Sequence, residues 1–335
     1  MKEIKKYISQ PLLIIINDKC NLHCPYCFQD KKRTNKEMSP EVINKIISGL
    51  KNNKKLKYNG IVFYGGEPML SQNIILKFID SLGENYSYEV MTNGTIDLIS
   101  FCKKIEKVKN KFTFGFSFDG LYQTNRTPND IEKVKNNLNY LKKHKFNIDL
   151  IWTVGNNCID KIIDNILYLT SIHNNIKLKR ICNLHNAWNK ETKEKFIDKL
   201  PQITLLCAYL ERNKQCSIKL PNYINYPKEL NGIIRRGFVC QDSIGLSSDS
   251  IDINGDMYPC ENRAYHKIGK FGHIFDGIEN RPFNFPAYEK TDILYNICTM
   301  YNTVEPKIDE ALDFQREKYQ EYVKKFERLK NAVRN

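Results

Sequence analysis

The chain has no apolar run near the roughly 18 residues that a membrane-spanning helix requires, which argues against an integral membrane protein. It also lacks a convincing export signal. The N-terminus, MKEIKKYISQPLLIIIN, starts basic, but its apolar stretch is only Leu12–Ile16 and no small-residue cleavage site follows. A cytoplasmic location is the expectation. No internal repeat recurs at a fixed period, and no low-complexity linker divides the chain. With 41% hydrophobic and 11% aromatic residues, disorder throughout is excluded. The 335 residues suit one large domain, or a domain with a small appendage.

Eleven cysteines are an odd number in a long chain without an export signal. That fits metal or redox use better than a disulfide framework. The net charge of +14 would suit an acidic substrate or nucleic acid. However, Lys, Asn and Ile are abundant everywhere, as in products of AT-rich genomes, and no basic stripe is interleaved with stacking aromatics. Composition therefore explains the charge, and no nucleic-acid partner is expected.

Short β-rich runs alternate with helical patterns. Strands are predicted at Leu12–Ile16, Ile61–Tyr64, Ser87–Met91, Phe112–Phe118, Asn147–Val154 and Ile176–Cys182. Helices are predicted near Pro40–Lys51, Gln72–Leu82, Asp97–Lys107, Asn129–Lys145, Ile159–His173 and Lys190–Arg212. Ser39 is placed to cap the first helix, with Pro40 at its first position. This alternation implies right-handed βαβ units and a parallel sheet, either a partly closed barrel or an open doubly wound sheet. Ser250–Ile253, Asn254-Gly255 and Asp256–Pro259 read as a hairpin with a type I′ turn, ending on Cys260. Ile308, Leu312, Tyr319, Tyr322, Val323, Phe326 and Val333 show helical spacing, for a tail helix docked on the body or held for a partner.

The strongest chemical signal is Cys20-Asn-Leu-His-Cys24-Pro-Tyr-Cys27, directly after the first strand. Thiolates in so short a loop can converge on zinc or an iron–sulfur cluster. Three cysteines without a fourth nearby favour a cluster with one iron open to a non-protein ligand. His23 adjoins Cys24 and points badly for the same metal, so it reads as a loop histidine.

This CxxxCxxC motif, with Tyr26 before its last cysteine, resembles the radical S-adenosylmethionine (SAM) superfamily. The resemblance implies a [4Fe–4S] cluster on Cys20, Cys24 and Cys27, with SAM chelating the open iron and cleaved reductively to a 5′-deoxyadenosyl radical. Gly65-Gly66-Glu67-Pro68 after the second strand resembles the family's GGEP segment, whose backbone meets the methionine amine. Paired glycines also allow close approach to a ligand, and Glu67 offers acceptors to an ammonium; alone, the tetrapeptide is only a turn signal. Thr92-Asn93-Gly94 resembles the TNG segment, and Ser117 with Asp119 the S-x-D-G segment near SAM. Arg126 loosely matches a SAM-contacting arginine, and Val154 a residue packing against adenine. The implied fold is α/β, a partial (β/α)6 TIM-like barrel with a small C-terminal hairpin and helix domain. Ligand contacts at the C-terminal strand ends suit such a sheet.

Cys240, Gly255 and Cys260 resemble the opening of SPASM and twitch domains, which bind auxiliary [4Fe–4S] clusters. Their full pattern needs more cysteines than the remaining Cys298, so two auxiliary clusters are not expected. Tyr301 stands where the closing CxxC of a twitch domain would end. Three arrangements remain: a cluster on Cys240, Cys260 and Cys298 with an open iron, one completed by Cys216 or Cys207, or a lost site. Domain limits of 1–215, 216–303 and a tail helix 304–335 follow. Cys102 and Cys158 read as buried small apolar groups. Cys182 has the same default reading, but it ends the sixth strand and so becomes a candidate hydrogen-atom donor, with Arg180 and His185 as possible substrate contacts.

The resemblance implies a radical SAM enzyme that modifies a peptide by crosslink, thioether, epimerisation or side-chain oxidation, as a ribosomal-peptide maturase does. A basic surface would attract an acidic leader or core peptide. The barrel begins by Leu12, so no N-terminal leader-binding domain is expected, which argues against a peptide unless a separate leader-binding protein or the tail helix takes that part; flavodoxin or ferredoxin is the expected reductant. A twitch-type small-molecule dehydrogenase or cyclase is the alternative. A non-catalytic iron–sulfur or zinc protein binding nucleic acid would not explain the motifs at successive strand ends.

Overall fold

The computed structural model describes residues 11–25, 27, 29, 33–52, 58–154, 158–173, 175–181, 190–212, 217–219, 249–267 and 269–278, with positions of a tail helix between 314 and 328. Six parallel strands run in sequence order: β1 Leu12–Ile15, β2 Gly60–Tyr64, β3 Ser87–Thr92, β4 Phe112–Ser117, β5 Asn147–Val154 and β6 Asn175–Ile181. A short seventh, β7 Ser217–Lys219, continues parallel beyond β6 and has no counterpart in the predicted pattern. The connecting helices are α1 Pro40–Asn52, α2 Gln72–Leu82, α3 Ile99–Lys104, α4 Ile131–Lys143, α5 Ile162–Ile172 and α6 Lys190–Arg212. Ser39 caps α1, with its hydroxyl accepting from Val42 N at 3.3 Å.

Sequential strand order decides between the two predicted sheets. Right-handed crossovers that always step the same way put every helix on one face. The packing agrees. Leu12 and Ile14, Phe63, Tyr88 and Val90, Phe112, Phe114 and Phe116, and Leu150 and Trp152 form one core with residues of α1 to α6. Its centre is a chain of rings: Phe63 lies 5.5 Å from Phe78 and 6.4 Å from Tyr88, and Phe112 lies 5.0 Å from Phe114. Burial of each such ring contributes about 1.5–3 kcal/mol. The opposite face is left for loops and ligands, and the sheet is open: a partial barrel.

A hairpin of β8 Ser250–Ile251 and β9 Asp256–Tyr258 extends the same sheet, because β8 pairs parallel with β1. β10 Gly272–His273 pairs with β9, giving the order β10-β9-β8-β1-β2-β3-β4-β5-β6-β7. The turn differs from the type I′ expectation. Asp252 N donates to Asp256 O at 3.0 Å, enclosing a three-residue loop. Gly255 takes φ +91° while Asn254 does not enter positive φ. The buried Asp252 carboxylate is the cause, since it accepts from Asn254 N at 2.8 Å and Asp256 N at 3.0 Å and so fixes the loop from within. The tail helix meets α6, with Phe326 6.1 Å from the Tyr209 ring. No helix among the described residues is long and apolar enough to cross a membrane.

Candidate active site

The loop after β1 carries the cysteines, and the three loops after β2, β3 and β4 are tied to it or stand beside it. Asp18 anchors the cysteine loop at its base. Its carboxylate accepts from Thr34 N at 2.9 Å, from Lys36 N at 2.6 Å and from the Thr34 hydroxyl. The loop therefore leaves and returns at one point. Cys20, Cys24 and Cys27 are half-buried free thiols within it. N–H donors face two of the sulfurs: Leu22 N and Cys20 Sγ are 3.4 Å apart, as are Arg33 Nη2 and Cys27 Sγ. Arg33 Nη1 also donates to Leu22 O at 2.6 Å, spanning the loop.

Burial pushes the Cys20 thiol above its ordinary value. Burial also raises Cys24, to about 11, against the smaller opposing pull of Arg126. Left to themselves these thiols stay protonated at neutral pH, so a metal must displace their protons. Among the described residues no group of three His, Cys, Asp or Glu side chains is gathered tightly enough for a single metal ion. A cluster that presents a separate iron to each thiolate makes a different demand. Three accessible thiols on one anchored loop, with N–H donors to sulfur, fit it.

Gly65 and Gly66 let the β2 loop lie directly against this one. Gly66 N donates to Asn17 O at 3.2 Å, and Glu67 N to Lys19 O at 2.6 Å. A Cβ on Gly66 would collide with the Lys19 carbonyl. Asn17 Nδ2 completes the junction by donating to Glu67 O at 3.0 Å and to Ser71 Oγ at 2.6 Å. Pro68 begins a short 3₁₀ turn, Pro68–Ser71, which Glu67 caps by accepting from Met69 N at 2.9 Å.

Glu67 is only 1% exposed and faces three protein donors. Besides Met69 N, Oε1 accepts from Thr92 Oγ1 at 2.8 Å, and Oε2 from Asn93 N at 2.6 Å. Burial raises this carboxyl to about 7, and the bonds from Asn93, Met69 and Thr92 oppose the rise. Glu67 thus joins the loop after β2 to the end of β3. Asn93 then reaches back to the cysteine loop, with Nδ2 3.0 Å from Asn21 Oδ1 and 3.9 Å from Cys20 Sγ. Asn21 Nδ2 donates to Thr95 Oγ1 at 2.7 Å, and that hydroxyl donates to Asn93 Oδ1 at 2.7 Å.

At the end of β4, Asp119 is paired with Arg126. Nε lies 3.3 Å from Oδ2 and Nη2 3.4 Å from Oδ1. Asp119 Oδ1 also accepts from Thr153 N on β5 at 3.1 Å, and Arg126 Nη2 donates to Thr153 Oγ1 at 3.4 Å. The electrostatic influence of Arg126 and Asp119 on Cys24 places this pair at the cysteine loop. Ser117 is half-buried at the last position of β4. Val154, at the end of β5, is 2% exposed and belongs to the core shared with the helices. Cys260 precedes α7 Glu261–His266 as its N-cap and is half-buried. Tyr265 of α7 donates to Gly65 O at 3.4 Å, so the hairpin region touches the Gly-Gly loop itself.

Cys102, Cys158 and Cys207 are all buried in the helix-side core. Tyr26, Cys182, His185, Cys216, Cys240, Cys298 and Tyr301 lie outside the described residues, as does the side chain of Arg180. Sequence reasoning missed Asn17, Asn21, Thr95 and Thr153, which bond neighbouring strand ends and loops to one another, and Arg33, which spans the cysteine loop. It also missed Asn137 and Asn165, although an Asn within the apolar stripe of a helix was a visible signal.

Residues 14–169 match the family model of the Radical SAM superfamily. An uncharacterised protein of Methanocaldococcus jannaschii is 27% identical over 264 residues, 74% of this chain and 84% of that one. The radical SAM cyclopropyl synthase TigE of Paramaledivibacter caminithermalis is 30% identical over 165 residues, 41% of this chain and 33% of the synthase. Among solved structures, anSMEcpe with bound AdoMet and the Cp18Cys peptide superposes with TM-score 0.63 at 18% identity, over 97% of this chain and 99% of that one. SuiB of Streptococcus suis bound to S-adenosylmethionine gives 0.60 at 13% identity, over 90% and 73%. At such identities the two structures show a shared fold.

Proposed function

We propose that this chain, whose residues 14–169 match the Radical SAM superfamily, is a radical SAM enzyme with a [4Fe–4S] cluster and SAM, and that it modifies a peptide. The observation that carries the SAM-dependent reading is the bonding of the loops after β2 and β3 to the cysteine loop, with the Asp119–Arg126 pair beside it. Cys20, Cys24 and Cys27 would hold the cluster. When bound, it supplies the electron that cleaves SAM to a 5′-deoxyadenosyl radical able to abstract a substrate hydrogen atom.

The rest falls to the chain's own groups. The Gly65–Gly66 main chain, braced from behind by Asn17 and Lys19, offers its polar groups to the methionine amine. Asn93, bonded to the cysteine loop, and Ser117, at the end of β4, are proposed to contact SAM, with Arg126 held by Asp119 for an anionic or polar ligand group. A peptide substrate is supported by anSMEcpe, whose structure contains one and shares this fold over nearly the whole chain. The net charge of +14 suits an acidic leader or core peptide. Cys240, Cys260 and Cys298 are the proposed ligands of an auxiliary cluster, and Cys182 a hydrogen-atom donor. Flavodoxin or ferredoxin would deliver the electron.

The test is anaerobic reconstitution with iron and sulfide, then dithionite and SAM, with products followed by mass spectrometry. 5′-Deoxyadenosine is expected, and its loss when Cys20, Cys24 and Cys27 are replaced by Ala. Product that persists in the triple variant refutes the cluster assignment. Deuterium transfer from a labelled candidate peptide into 5′-deoxyadenosine is the test of substrate; transfer only from small molecules would refute the peptide reading.

A further inference from the structure

Two asparagines stand where helical spacing calls for apolar side chains. The buried stripe of α4 reads Val134, Asn137, Leu138, Leu141, and that of α5 reads Ile162, Asn165, Ile166, Leu169. The phase is the same in both helices. Asn137 is 7% exposed and Asn165 fully buried. A buried amide is costly unless its polar atoms are bonded, and neither is bonded to its own helix by its side chain.

Each closes instead over a loop of the candidate site. Asn165 Oδ1 accepts from Leu121 N at 2.8 Å, and its Nδ2 donates to Asp119 O at 3.2 Å. Between those residues Gly120 takes φ +64°, and a Cβ there would strike Asn165 Oδ1. Asn137 Nδ2 donates to Gly94 O at 2.9 Å and Ile96 O at 2.7 Å. In both cases the clamp comes from one βα unit further along: α4 holds the loop after β3, and α5 holds the loop after β4.

The β4 loop shows the consequence most directly. Asn165 fixes the carbonyl of Asp119, while Gln123 Oε1 accepts from Asp119 N at 2.8 Å. With its main chain held at both ends, Asp119 can aim its carboxylate at Arg126 and Thr153 N. We infer that Asn165, and Asn137 by the same device, are positioning residues of the SAM site, acting through Asp119–Arg126 and through the Asn93 loop. This rests on the reading given under Proposed function, and it assigns the two helices a role in cofactor affinity beyond packing.

The test uses the reconstituted full chain. SAM binding is measured by calorimetry without reductant, alongside KM and kcat for 5′-deoxyadenosine formation and the melting temperature. Asn165→Leu keeps the number of side-chain heavy atoms and removes both bonds; Asn165→Asp keeps the acceptor for Leu121 N and serves if the variant with the larger Leu does not fold. Ile166→Ala, on the same helix and 1% exposed, lowers stability without removing a hydrogen bond to the loop. Asn165→Leu should weaken SAM binding about tenfold and raise KM more than it lowers kcat. Asn165→Asp should lose about threefold, and Ile166→Ala should stay within about twofold despite an equal or larger drop in melting temperature. Either Asn165 variant folded and binding within about twofold of wild type would overturn the inference, as would Ile166→Ala weakening binding as much as Asn165→Leu. A wild-type protein that binds no SAM would overturn the functional reading and this inference with it. Normal wild-type binding with unaffected Asn165 variants would overturn the inference alone.

Discussion

Glu67 is shut away from water yet accepts from the Met69 and Asn93 amides and the Thr92 hydroxyl, so one carboxyl joins β2 to β3. Its proton affinity follows from the same burial: the group rises from 4.5 to about 7. Between those values the folded chain keeps a proton that the unfolded chain has released. The contribution of Glu67 to stability therefore falls as pH rises through this window, and becomes level above about 7. Glu67→Gln cannot titrate. Compared with wild type in thermal melts from about pH 5 to about pH 8, the variant should gain relative stability as pH rises. A difference that stays constant across that range would mean that the group titrates normally. The Gly-Gly-Glu-Pro tetrapeptide was plain in the sequence, but the partners of Glu67 were not, since Asn93 lies 26 residues away.

At the scale of elements, the β1 and β2 loops interlock through main-chain bonds that need glycine. Gly66→Ala would drive a Cβ into the Lys19 carbonyl and separate Glu67 N from it. Iron bound per chain after reconstitution should fall to about half or less, because the loop bearing Cys20 loses its brace. Full loading would show that the loop tolerates the displacement. The hairpin depends on Asp252 in a similar way. Asp252→Ala removes acceptors from Asn254 N and Asp256 N and should destabilise this region by about 1–3 kcal/mol, read as earlier local amide exchange at β8 and β9. Strand and helix positions were legible because apolar runs and stripes are local. The turn was misread as type I′ because Asn-Gly favours it locally, while the Asp252 carboxylate selects the three-residue loop.

At the scale of the whole molecule, the hairpin continues the barrel's sheet through β1, and Tyr265 reaches the Gly65 carbonyl. Any group held at Cys260 is thus mechanically joined to the Gly-Gly loop. If Cys240, Cys260 and Cys298 hold a second [4Fe–4S] cluster, iron should approach about eight atoms per chain. Cys260→Ala should bring it to about four while sparing the spectrum of the first cluster. Iron unchanged by that substitution would exclude Cys260 as a ligand.

The sequence alone determined the chemistry on offer and the order of elements, because both are written in short-range spacing: the triplet of thiols, the Gly-Gly turn, the alternation of strands and helices. Tertiary structure decided which groups hold the site and which face it. Glu67 to Asn93, Asn165 to Asp119 and Tyr265 to Gly65 are contacts between residues far apart in the chain. No local pattern encodes them, since they arise only when parallel strands bring successive loops to one edge and burial compels each polar atom to find a partner there.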